Sequence, residues 1–184
     1  MKKKTYPVEW GCRYHFMVLA CEHDGKYLML KRNRHKHITG HRGRWMNIIG
    51  FKPYKKPAPL LTKPFFNAAT GLTAQKIRYK GVVRMGVSRR EYDAYMLFEV
   101  LKWDGELEPE KTWFGTYEWV PKEKVLGKKF HLLHRADRLL FHLMETKRKY
   151  LVDLDFSLNP DGSLYKGCWF GKRMTPEELK EWDI

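Results

Sequence analysis

Apolar and polar positions along this chain fall into short blocks of two different periods. Residues 13–21 (RYHFMVLAC) and 26–32 (KYLMLKR) are β-type runs joined by Asp24-Gly25, which predicts a hairpin. Residues 44–50 (RWMNIIG) read as a further strand. Two long β-type runs, 76–87 and 92–103, flank a turn at 88–90, and 116–120 (TYEWV) reads as a short strand. The period then changes. Leu139, Leu140, Leu143 and Met144 recur at helical spacing, which predicts an amphipathic helix over 135–146. Residues 150–158 and 163–170 flank Asn159-Pro160-Asp161-Gly162, a second hairpin signal. Thr175-Pro176-Glu177-Glu178 has the form of a helix start. These elements predict an α+β fold with a largely β middle and helices inserted singly. The expected organisation is one domain over 1–170 and a short helical tail over 171–184.

The segment 51–72 is the hardest to place. It carries Pro53, Pro57, Pro59 and Pro64. A proline deep in a helix lacks its N–H, and its ring meets the carbonyl four residues back. The pattern therefore predicts a helix that starts at Pro64, has Thr62 or Lys63 near its cap, and ends at Gly71 after about two turns.

Charge sharpens this picture. Of 36 lysines and arginines, 17 lie in residues 25–90, which contain none of the 21 acids. The whole formal surplus of +15 comes from that stretch. Such segregation points to a polyanionic partner, and to nucleic acid first. The densest cluster is Lys31, Arg32, Arg34, Lys36, Arg42 and Arg44, followed by Lys52, Lys55 and Lys56. Nearby Trp45 and Tyr54 could stack on unpaired bases, or could pack into the core or its loops. His35, His37 and His41 could ligate a transition metal, but the interleaved cations repel one, and phosphate suits this loop better.

Other chemistry is thin. Cys12, Cys21 and Cys168 fit no zinc or disulfide spacing. With no apolar signal region at the start and no run able to span a bilayer, they lead to the expectation of an intracellular, cytoplasmic protein without a membrane partner. His131 and His134 are isolated, and no nucleophile–base constellation or phosphate-binding glycine loop stands out.

The order of these segments resembles that of the Nudix hydrolases, in particular the 8-oxo-dGTP diphosphatase (MutT-like) branch. The resemblance covers roughly residues 13–170. It rests on the strand 25–33, on Gly43-Arg44-Trp45, on Glu118-Trp119-Val120, and on the helix and strand over 139–158. The family signature is Gly, five residues, Glu, seven residues, Arg-Glu, an apolar residue, any residue, Glu-Glu, any residue, Gly, apolar. Started at Gly50, it places its apolar position on Phe66, its last Gly on Gly71 and its final apolar position on Leu72 without insertion or deletion. Its charged positions fall on Lys56, Pro64, Phe65, Ala68 and Ala69. Four structural positions are kept and all five charged ones are replaced. The Gly that usually precedes Gly50 is Ile49, and a further acid often found before Gly115 is Phe114.

The resemblance implies an α/β/α sandwich with a mixed sheet. It also implies a Mg²⁺ or Mn²⁺ site built from carboxylates that this chain lacks. The expectation is a catalytically silent Nudix domain with no metal or cofactor, which binds RNA or another polyanion through residues 25–90. Degenerate members of that superfamily act as RNA-binding or scaffold subunits, so a larger ribonucleoprotein assembly is the expected setting. One alternative is a divergent nucleoside-triphosphate diphosphatase that uses Mg²⁺ or Mn²⁺ on acids outside the box, such as Glu91, Asp93, Glu108 or Glu110. Another is a protein–protein adaptor in which the Phe65-Phe66 region fills the old active site. The resemblance also makes Asp137 a remnant of a purine-reading pocket. Its neighbouring acid is replaced by Ala136, Met46 stands where the pocket Asn would be, and Asn47 is one place displaced. Asp137 is equally readable as an acid favourable in the first turn of a helix.

Overall fold

The computed structural model describes residues 12–33, 45–51, 58–88, 91–108, 115–127, 130, 135–146, 151–158, 164–169 and 172–173. Its first hairpin follows the sequence pattern. Strand β1 (Cys12–His23) turns into β2 (Lys26–Arg32) through Asp24 and Gly25, whose φ angles of 49° and 71° match the primed turns that fit strand twist. The strand expected over 44–50 is divided into β3 (Trp45–Met46) and β4 (Ile48–Phe51), with Asn47 at the break. After helix α1 (Ala58–Thr70) come the long strands β5 (Thr73–Ser88) and β6 (Glu91–Asp104), then β7 (Gly115–Pro121). Helices α2 (Lys122–Leu126) and α3 (Arg135–Glu145) follow, then β8 (Leu151–Leu158), β9 (Leu164–Trp169) and β10 (Lys172–Arg173).

The strands run β10-β9-β8-β5-β6-β1-β2-β3, with β4 also on β1 and β7 also on β2. The β1–β6 and β5–β8 pairs are parallel and the others antiparallel, so the sheet is mixed, as the sequence led one to expect. β10 pairs with β9 at the far edge of the sheet. The tail helix expected from Thr175 lies outside the described residues.

Burial explains the layers. Met17, Leu19 and Cys21 on β1 and Leu28 and Leu30 on β2 point into one core with Phe66 and Ala69 of α1. The alternate residues Val18, Ala20, Tyr27 and Met29 point into the other, against Leu139, Leu140, Phe141, Leu143 and Met144 of α3. A strand buried on both faces must be apolar at successive positions, which is why 16–21 reads as a continuous run. Among the described residues, no helix is long and apolar enough to cross a membrane.

Helix α1 departs from the expected start. It begins at Ala58 and runs through Pro64. The physical reason is a buried stripe, Ala58, Thr62, Phe66, Ala69 and Thr70, that recurs every three to four residues across the proline. Pro64 lies on the exposed face, as does Leu60, whose carbonyl loses its helical partner there. Thr62 Oγ1 donates to the Ala58 carbonyl at 2.8 Å within the first turns. Gly71, with φ 84°, ends the helix as expected, and its N–H donates to the Asn67 carbonyl. An interior proline costs about 3 kcal/mol, partly offset by the freedom it removes from the unfolded chain. Pro64→Ala is therefore expected to stabilise the protein by about 1–2 kcal/mol, read as a higher denaturant midpoint at unchanged slope.

Two basic side chains are withdrawn from solvent around α3, Lys80 fully and His142 in part. Lys80 is 2% exposed, sits at a register shift in β5, and donates from Nζ to the Thr146 carbonyl at 3.0 Å. That carbonyl lies just past the negative end of α3. Burial lowers the Lys80 pKa from its ordinary value. Burial likewise lowers that of His142; Arg138 adds to the shift, while a hydrogen bond to the Leu126 backbone and the charge of Glu145 oppose it. With the folded pKa below the unfolded one, the unfolded chain takes up this proton first as the pH falls below about 6.5. Stability from His142 is thus present above that pH and lost below it. In His142→Leu the fall in stability from pH 6.5 to 5 should be shallower by up to one proton, as measured by urea melts across that range.

Candidate functional site

The segment from Gly50 to Leu72 forms one compact unit. Phe66 is fully buried, Leu72 is 2% exposed, and both belong to the α1-side core. Gly50 is buried on β4, and a Cβ placed there would lie 2.6 Å from the Phe65 ring. The ring of Phe65 therefore rests directly against the Gly50 backbone. Gly71 supplies the positive φ of the helix end. Of the replaced positions, Pro64 and Ala68 face outward, Phe65 is half-buried and Ala69 is buried. Lys52, Lys55 and Lys56 lie outside the described residues.

Asn47 and Asp137 meet. Asn47 is fully buried, and its Nδ2 donates to Asp137 Oδ1 at 3.0 Å and to the Asp137 carbonyl at 3.2 Å. Its Oδ1 is buried with no hydrogen-bond partner. The pair pins the start of α3 to the break between β3 and β4. Met46, on β3, is half-buried against the α1-side core.

The basic stretch is acid-free in sequence but not in space. Arg78 pairs with Glu99 of the neighbouring strand at 2.5 Å. Lys31 approaches Glu118 at 3.6 Å and lies over the Trp45 ring at 5.3 Å. Arg84 lies over the Tyr92 ring, and Lys80 is buried. Lys31 remains half exposed at the edge of β2, and Arg32 is half-buried beside it. Arg34, Lys36, Arg42 and Arg44 lie outside the described residues, as do His35, His37, His41 and Tyr54. Trp45 is only 6% exposed and packs against Phe130, so it belongs to the core and offers no face for stacking on a base.

No protein-family model and no curated protein matches the sequence. Solved structures do match. A MutT protein from Bacillus halodurans superposes with a TM-score of 0.67 at 20% identity, covering 86% of this chain and 99% of that one. A MutT Nudix hydrolase from Burkholderia pseudomallei gives 0.54 at 18% identity, over 71% and 96%. The chain has the Nudix fold. A MutT protein from Methanosarcina mazei agrees, with 0.56 at 18% identity over 70% and 90%. At these identities the likeness is one of fold.

Of the four positions that the resemblance led one to expect as structural, Gly50, Phe66 and Leu72 are buried and Gly71 has the positive φ of a helix end. The positions on α1 where the resemblance leads one to expect oxygen ligands carry Phe65, Ala68 and Ala69, whose side chains have no donor atom for a hard cation. A Mg²⁺ or Mn²⁺ ion does not fit this set. Outside the box, Asp93 is half-buried on β6, and the carboxylate of Glu108 lies beside Gly71 at the other end of α1. The side chains of Glu91 and Glu110 fall outside what is described. Among the described residues, no group of three His, Cys, Asp or Glu side chains could hold a metal ion.

Proposed function

We propose that this chain is a Nudix-fold protein that binds RNA as a polyanion and does not hydrolyse nucleoside diphosphate bonds. One observation carries the reading: where the fold would present metal-binding carboxylates, a phenylalanine ring rests on the Gly50 backbone and two alanines follow it along α1. An acid-free stretch of strong positive charge surrounds that segment in sequence. Arginine and lysine gather phosphates through counterion release, which needs no built pocket. The Asn47–Asp137 contact supports the same reading, because it engages one oxygen of the acid expected to read a purine edge in a hydrogen bond within the protein.

The test has two arms. With nucleoside triphosphates and Mg²⁺ or Mn²⁺, release of pyrophosphate should stay at the buffer rate. Turnover that vanishes in Glu108→Gln or Asp93→Asn would replace this reading with that of a divergent hydrolase. With a single-stranded RNA oligomer, affinity should fall steeply between 50 and 200 mM salt, on the order of tenfold or more. Affinity that is flat in salt would end the electrostatic reading.

A further inference from the structure

A polar stripe on α3 holds α2 and Phe130 in place. Arg138, His142 and Glu145 follow one another at helical spacing, so they share one side of the helix. Arg138 donates from Nη2 to the Phe130 carbonyl at 2.8 Å. His142 hydrogen-bonds the backbone of Leu126, the last residue of α2. Glu145 pairs with Lys122, the first residue of α2, at 2.9 Å and accepts from the Tyr27 hydroxyl. Phe130 is tied to the end of α2 in turn, its N–H donating to the Gly127 carbonyl at 3.2 Å. Helix α2 has little hold of its own. It is five residues long, Pro121 gives it no side-chain cap, and Val125 is its buried residue. What this unit covers is Trp45, against which the Phe130 ring packs at 6.0 Å.

We propose that α2, Gly127 and Phe130 form a strap over Trp45 that loosens when His142 takes up a proton. The middle tie is the weak one. His142 Nε2 is buried with no hydrogen-bond partner. A neutral ring leaves a bare acceptor there, whereas a protonated ring carries a charged donor that meets no acceptor, a larger cost. The neighbouring charges do not hold the proton. Arg138, on the same helix, repels it. Glu145 attracts it but is already engaged by Lys122 and Tyr27. On α2, Lys122 is turned to Glu22 and Glu145, Lys124 lies over the Phe130 ring, and Glu123 is exposed. Burial is the largest cause of the lowered His142 pKa. The strap is therefore closed above about pH 6.5, the ordinary value for the ring, and loosens below it, because the released ring binds the proton more tightly. Release uncovers Trp45 beside Lys31, whose Nζ stands 5.3 Å from the ring centroid. A ring next to a cation is the combination that takes an unpaired base and its phosphate. That consequence rests on the RNA reading above; the loosening of the strap does not.

Hydrogen exchange, corrected for the intrinsic rate and followed from about pH 7.5 to about 5.5, tests the strap. Protection of the α2 amides should fall by up to about tenfold per pH unit below about 6.5, one proton for each opening, while the β5–β6 amides keep theirs. His142→Gln keeps a donor for the Leu126 backbone but does not titrate, so its α2 protection should stay flat. The same fall in His142→Gln, or a fall shared evenly by the whole chain, would overturn the proposal. The second measurement compares a single-stranded uridine oligomer with inorganic polyphosphate, which has charge but no bases. On acidification the oligomer should gain about tenfold over polyphosphate, the effect of one stacked base, and His142→Gln should remove that gain. Equal gains for the two polymers would mean added charge alone and would rule out a gated base site. An oligomer that binds at neither pH, with α2 opening as expected, would end the RNA reading, and the exchange result would then carry the strap by itself.

Discussion

Phe66→Ala should lower stability by about 3–5 kcal/mol, the usual cost of emptying a fully buried phenylalanine site. Its neighbour should behave differently. Phe65 is half-buried, and its ring edge lies against a glycine backbone rather than within the core, so Phe65→Ala should cost about 1–2 kcal/mol. The informative variant is the double one. Gly50→Ala alone forces a methyl to 2.6 Å from the Phe65 ring, an overpacking that costs about 1–3 kcal/mol. In a Phe65→Ala background that cost should nearly disappear, giving a coupling of about 1–2 kcal/mol in a double-mutant cycle from urea melts. Additive effects would mean that Phe65 does not occupy the space above Gly50.

Neutralising Lys31, Arg32, Arg34, Lys36, Arg42 and Arg44 together should reduce affinity for single-stranded RNA by about 100-fold at low salt. It should also reduce the steepness of the log–log salt dependence by about 4, from roughly 0.7 per phosphate contact. The structure adds a refinement. Lys31 is near Glu118 and Arg78 is paired with Glu99, so these cations are already partly compensated. Glu118→Gln and Glu99→Gln should each tighten RNA binding by about two- to threefold, in proportion to the positive field they release. A six-residue variant that binds with unchanged slope would move the RNA site away from residues 31–44.

Local signals carried most of the fold. The Asp24-Gly25 hairpin, the β5–β6 pair and α3 all followed from turn residues and apolar period, because each is specified by neighbours in sequence. The sandwich with its mixed sheet followed from the resemblance. What was not legible depended on contacts between distant residues. Pro64 read as a helix start because propensity is local, whereas the buried stripe from Ala58 to Thr70 acts through the packed core and overrides it. The break at Asn47 depends on a hydrogen bond to Asp137 from another element. Helix α2 is five residues long, too short for a period to show. At the site, the spacing from Gly50 to Leu72 and the absence of acids within it were visible in the sequence. The seating of Phe65 on Gly50 was not, and neither was the pairing of Arg78 with Glu99, because strand register sets that pair.

The parallel pairing of β1 with β6 has a consequence for synthesis. Residues 16–21 are apolar on both faces, and their partner strand is made only after α1 and β5. Until residue 100 has left the ribosome, the first strand has no place in the central sheet beyond its hairpin and β4. Long-range parallel pairing of this kind is slow and leaves sticky chain exposed. The part of the chain made in that interval is also the part that carries the positive charge. Like charge on that part of the chain opposes association between unfinished copies.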